Sequence, residues 1–132
     1  MMYMLDTNIC IYIIKKKPAK VFDRLKKMKN DAICISSITY SELLYWAYRS
    51  ENVAKNLLAL TMFLSNIEIL PYDENSSIDY GMIRAKLEKS SKEIGSLDML
   101  IVAHAVGTKT ILVTNNAKKF SGIKHLQVEN WI

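Results

Sequence analysis

Four short apolar runs, at residues 3–6, 32–35, 67–70 and 110–113, constrain this chain more than anything else in it. Each is nearly continuous and closes on a polar residue or a proline. A strand with one wet face alternates apolar and polar residues, whereas an unbroken run suits a strand covered on both faces of a parallel sheet. A fifth short strand is expected around residues 126–128. The runs are too short to span a bilayer.

Helix-period segments fill the gaps. Ile9, Ile13 and Ile14 mark a helix ending near Lys16, and Pro18 stops it and opens the next. That second helix carries Phe22, Leu25 and Met28 on one face and lysines on the other. Further helices are expected over 40–48, 53–64, 78–89 and 97–106, with 90–95 as a loop and Gly107 as a C-cap. Strands alternating with helices imply crossover connections and a parallel sheet between helical layers. The expected fold is therefore α/β, three layers deep, with a central, mostly parallel sheet of four or five strands. At 132 residues the chain makes one domain, 1–132, with no repeat or linker.

Polar residues with chemical potential gather where strands hand over to helices. Asp6 follows the first run, Glu42 lies early in the helix after the second, Asp98 opens an apolar helix, and Asn115-Asn116 follow the fourth run. In an open parallel sheet, ligands bind outside the carboxyl ends of the strands. Several carboxylates in one cleft repel one another unless a cation lies between them, and all-oxygen ligands suit Mg²⁺ or Mn²⁺. Acids at helix N-termini are also favoured as caps. Thr39-Tyr40-Ser41-Glu42 fits a capping box, Asp6 suits a cap of the first helix, and Asp98 suits the macrodipole of the sixth. Position alone does not separate caps from ligands.

Charge narrows the partners. The net charge is +5, and Lys15, Lys16, Lys17, Lys20, Arg24, Lys26, Lys27 and Lys29 are opposed only by Asp23. Such a run attracts polyanions such as nucleic acid, or is simply a solvated helix face. Cys10 and Cys34 lie in apolar runs and suit buried packing; no disulfide framework or zinc finger follows from two cysteines and two histidines. His104 on its apolar helix suits a hydrogen-bonded core residue, and Trp131 a packing role at the sheet edge. Leu43, Leu44, Tyr45, Trp46 and Tyr48 supply more apolar bulk than one helix face needs, which suits an interface as well as a core. No Gly-rich phosphate loop follows any strand, and the adjacent acids of a phospho-receiver domain are missing after the first. No secretory leader opens the chain, so a cytoplasmic location is expected.

Met4-Leu5-Asp6-Thr7-Asn8, Ile35-Ser36-Ser37-Ile38-Thr39 with Glu42-Leu43, Asp98-Met99-Leu100-Ile101-Val102-Ala103-His104-Ala105, and Val113-Thr114-Asn115-Asn116 with Phe120 together resemble the PIN-domain nucleases. The nearest likeness is to VapC toxins of bacterial toxin–antitoxin pairs. The ordered set spans nearly the whole chain, although Asp-Thr-Asn alone is weak. The resemblance implies a Mg²⁺- or Mn²⁺-dependent endoribonuclease that hydrolyses phosphodiester bonds in structured RNA, such as the anticodon region of transfer RNA, including initiator transfer RNA. It implies that Asp6, Glu42 and Asp98 hold the metal, that Asn116 fills the polar fourth position, and that Thr7, Thr114 and Asn115 support them. Many relatives carry an acid where this chain has Lys119, which leaves the number of metal ions open. Lys15, Lys16, Lys17 and Lys20, with Lys118, Lys119 and Lys124, are the candidate RNA-binding lysines. A homodimer through Tyr45, Trp46 and Tyr48 and a VapB-type antitoxin covering the acidic cleft are further implications. The competing reading is a catalytically silent PIN-type binding module.

Overall fold

A computed structural model describes residues 2–28, 32–90 and 94–132. Five strands form one parallel sheet: β1 (Tyr3–Leu5), β2 (Ile33–Ser36), β3 (Glu68–Leu70), β4 (Ile111–Val113) and β5 (Gln127–Glu129), in the spatial order β3-β2-β1-β4-β5. Six helices connect them among the described residues: α1 (Thr7–Lys15), α2 (Ala19–Lys26), α3 (Ser37–Tyr48), α4 (Val53–Leu64), α5 (Glu74–Lys89) and α6 (Ser96–Thr108).

Unbroken apolar runs become doubly covered strands. Successive side chains point to opposite faces, so Leu5, Ile33, Ile35 and Val113 join one core with Ile9, Ile13, Val21, Leu43 and Leu60. Met4, Cys34 and Leu112 join the other, with Leu87, Met99, Val102 and Phe120. The result is the expected three-layer sandwich. Both cysteines are buried and free, and burial pushes the Cys34 thiol up to about 12. Trp131 is buried, stacks at a tilt on Tyr3 and donates from Nε1 to Glu129 Oε1 at 2.9 Å.

The chain builds outward from β1 to β2 and β3, then crosses back to β4 on the other side of β1. The strand order therefore reverses between β1 and β4, the switch point where open α/β sheets leave a crevice. Asp6 N–H donates to the Val113 carbonyl at 3.0 Å, carrying the pairing past the end of both strands.

Several helix ends differ from expectation, each for a local reason. The α3 helix starts at Ser37, directly out of β2, and its cap is Ser36, whose Oγ accepts from Ile38 N–H at 3.0 Å. Thr39 is thus interior and buried, and the Thr39–Glu42 capping box does not form. Asp73 caps α5 by accepting from Ser76 N–H, so that helix begins a turn before the Ile78 stripe. Gly107 lies inside α6, which runs to Thr108 and is capped by Lys109 at φ 58°. Its missing side chain serves packing: a Cβ there would meet Asp79 Oδ2 at 3.0 Å and Ser76 Oγ at 3.2 Å, so glycine lets α5 approach α6. The expected loop at 90–95 lies partly outside the described residues, as does Lys29 of the basic run.

Candidate active site

Asp6 directly follows β1 with extended backbone and caps α1: its Oδ1 accepts from Ile9 N–H at 2.9 Å. Cap and ligand do not exclude each other, because a carboxylate has further lone pairs. Asp6 is only 8% exposed. Burial pushes its carboxyl from 3.8 to about 6, against the hydrogen-bonding pull of Thr114 and of Ile9 N–H and with help from the negative charges of Asp98 and Glu42. A carboxylate held this way is short of positive charge.

Thr7, the first residue of α1, donates from Oγ1 to Glu42 Oε1 at 2.7 Å. Glu42 therefore does not cap α3. It projects from one turn into that helix, half-buried, and is aimed by a hydroxyl on the neighbouring helix. Asp98 lies in the first turn of α6, whose N-cap Gly95 offers no side chain. Its Oδ2 pairs with Lys119 Nζ at 3.5 Å.

The β4 end completes the cleft. Thr114 is fully buried, acts on Asp6, and accepts from the Asn116 N–H at 3.0 Å. Asn115 leans the other way, its amide donating to the Tyr12 hydroxyl at 3.4 Å. A run of turns follows over 115–122, held by Lys119 N–H on the Asn116 carbonyl (2.9 Å) and rooted by buried Phe120. Thus Asp6, Thr7, Glu42, Asp98, Thr114 and Asn116 come from the ends of β1 and β4 and the starts of α1, α3 and α6, all at one sheet edge.

The lysines divide. Lys118 and Lys119 are exposed in the turn beside Asp98. Lys15, Lys16, Lys17 and Lys20 are exposed at and beyond the C-terminal end of α1, about 14 Å of helix rise from Asp6. That end also binds its own charges: Lys16 and Lys26 lie over the Phe22 ring, and Arg24 pairs with Glu129. Lys124 precedes β5, at the opposite sheet edge. The structure therefore brings Lys119 to Asp98, with exposed Lys118 in the same turn, and leaves the other lysines away from the acids.

Behind the acids, Ser36 and His104 were not singled out as site residues by sequence, yet they couple two of its helices. Ser36 Oγ, the cap of α3, shares a 2.7 Å hydrogen bond with Nδ1 of fully buried His104 on α6. Burial lowers the His104 pKa, against the opposing pull of Asp73 and the Pro71 carbonyl, so the ring is a neutral strut. A serine directly between an apolar run and a helix was the available signal.

The donor set suits a hard divalent cation: three carboxylates and an amide, with no sulfur, and with Asp6 raised partly by the other two acids. Each carboxylate has its own support, Thr114 and Ile9 N–H for Asp6, Thr7 for Glu42 and Lys119 for Asp98. Among the described residues no three His, Cys, Asp or Glu side chains are already drawn together as a ligand group. The residues fit Mg²⁺ or Mn²⁺ in donor type and charge.

The PIN domain family model matches residues 3–126. The chain is 42% identical over 132 residues to Ribonuclease VapC2 of Rickettsia felis, covering 99% of this chain and 98% of that protein. It is 40% identical over 129 residues to the tRNA(fMet)-specific endonuclease VapC of Shigella flexneri, covering 98% and 97%. Among solved structures, VapBC2 from Rickettsia felis bound to a DNA fragment from its promoter contains a chain that superimposes with a TM-score of 0.93 at 40% identity, covering 100% of both. With its acids at the switch point and likeness along its whole length, this chain belongs to the PIN-domain family, among its VapC members.

Proposed function

We propose that the protein is a toxin endoribonuclease that needs Mg²⁺ or Mn²⁺ and hydrolyses phosphodiester bonds in structured RNA. The observation that carries this reading is the placement of Asp6, Glu42 and Asp98 at one end of the sheet, near enough for the charges of Asp98 and Glu42 to act on Asp6, whose carboxyl is raised to about 6. Likeness to the tRNA(fMet)-specific VapC of Shigella flexneri makes initiator transfer RNA the proposed substrate.

Asp6, Asp98 and Glu42 would hold the cation, which would lower the pKa of water and offset charge developing at phosphorus. The chain's own residues arrange the rest. Thr7 fixes the Glu42 carboxylate, and Thr114 orients Asp6 while holding the Asn116 backbone. Asn116 presents its amide to the phosphate or to water. Lys118 contacts the RNA backbone as a point charge. No side chain serves as covalent nucleophile.

The same reading includes partners. Similarity to VapBC complexes supports a VapB-type antitoxin that covers the acidic cleft. Exposed Tyr45 and Tyr48 on α3 support a homodimer. Among the described residues no helix is long and apolar enough to cross a membrane, and the proposed site of action is the cytoplasm.

Purified protein tests the proposal on initiator transfer RNA with Mg²⁺, Mn²⁺ or EDTA. The expected result is divalent-dependent cleavage that Asp6→Asn abolishes. The Lys119–Asp98 pair favours one competing reading, a silent binding module, for which RNA would bind without cleavage whatever the metal.

A further inference from the structure

Of the ion pairs formed among the described residues, one engages a site carboxylate: Lys119 Nζ and Asp98 Oδ2, 3.5 Å apart. Both side chains are 43% exposed, so the pair faces the open cleft, where an ordinary surface ion pair contributes roughly 0–1 kcal/mol. Its placement is nonetheless fixed. The Lys119 backbone is hydrogen-bonded to Asn116, itself bonded to Thr114. The next residue, Phe120, is buried in the core of α5 and α6. On the other side Gly95 leaves Asp98 uncrowded, since even a Cβ there would stay 4.0 Å from Oδ2. A rooted turn thus delivers an ammonium to one edge of the acid cluster.

Charge balance gives this a consequence. Three ionised carboxylates carry three negative charges, which one divalent ion and one ammonium neutralise. A second divalent ion would leave a surplus beside Lys119 and would have to displace it from Asp98. We infer that Lys119 is a resident counter-cation, a positioning residue that holds Asp98 in the metal-free cleft and takes the place of a second metal, so that the site accepts one divalent ion. The inference rests on the metal-dependent reading of the same site. Lys119 competes with the entering ion for Asp98 and lowers its affinity.

Mn²⁺ titration of the RNA-free protein, followed by the electron paramagnetic resonance of unbound Mn²⁺, reads this directly. The expected stoichiometry is one for the wild type and two for Lys119→Glu. Lys119→Gln, which removes the competing charge and the repulsion, should bind one Mn²⁺ about tenfold more tightly. Melting curves of the EDTA-treated proteins check that the exposed substitutions fold. Two ions on the wild type, one on Lys119→Glu, or an unchanged affinity in Lys119→Gln would each overturn the inference while leaving a metal-dependent nuclease intact. Failure of the underlying reading looks different: no variant binds Mn²⁺, and RNA cleavage does not respond to it.

Discussion

Thr7 Oγ1 and Glu42 Oε1 lie 2.7 Å apart, joining the first turn of α1 to α3 across residues 35 apart in sequence. Without that donor, Glu42 is a long side chain free to leave the cleft. Thr7→Val keeps the shape and removes the hydrogen bond. Because the contact is only part-buried, we expect a stability loss of about 1 kcal/mol or less. RNA cleavage should fall by about tenfold or more, since mispositioned ligands cost rate steeply. Melting temperature against single-turnover rate separates the two effects.

Asp6 makes stability depend on pH in a stated direction. Its carboxyl is raised by burial from 3.8 to about 6 in the folded protein. Below pH 4 both folded and unfolded chains hold the proton and nothing is lost. Between pH 4 and 6 the unfolded chain releases it first, so stability falls as pH rises, and the loss levels off above 6. The full effect is up to about 3 kcal/mol. In EDTA, Asp6→Asn should therefore gain on the wild type from pH 4 to 6 and hold a constant advantage above it. Urea unfolding across that range checks the sign, and Mn²⁺ should reverse the order by stabilising only the wild type.

Asp98→Asn tests cap against ligand. Asp98 pairs with Lys119 in an exposed setting and does not cap α6 through a side-chain bond. The metal-free protein should keep its stability within about 1 kcal/mol, while cleavage and Mn²⁺ affinity drop. A large loss of stability with normal Mn²⁺ binding would make it a structural acid.

Ser36→Ala removes both the α3 cap and the partner of a buried imidazole. The expected cost is about 2 kcal/mol, combining a lost cap with an unsatisfied His104 Nδ1. Because α3 carries Glu42 and α6 carries Asp98, cleavage should fall as well, although Ser36 touches neither acid. Denaturant midpoints and Mn²⁺ affinity measured together test this coupling.

Much of this was legible in the chain itself. Residues 3–5 and 111–113 read as doubly covered strands because both faces of each are apolar, and a strand of that kind has few other places to go. The parallel sheet then put Asp6, Glu42, Asp98 and Asn116 at one edge. Helix starts were harder, since they depend on which side-chain oxygen reaches a free N–H. Ser36 and Asp73 won that competition, over Thr39 and ahead of the Ile78 stripe respectively. Gly107 looked like a terminator because its other use, letting α5 approach α6, needs the tertiary contact. The lysine run could not be placed from charge alone: only the length of α1 shows that Lys15, Lys16 and Lys17 sit far from Asp6.

The acids around Asp6 are proposed to bind a divalent ion in order to cut RNA. The most direct test incubates wild-type and Asp6→Asn protein with initiator transfer RNA, with and without Mg²⁺, and maps the ends of the fragments. The expected result is discrete cleavage by the wild type with Mg²⁺ and none in EDTA or with Asp6→Asn. Cleavage that persists in EDTA or in Asp6→Asn would contradict it, as would RNA binding by the wild type with no cleavage in Mg²⁺ or Mn²⁺.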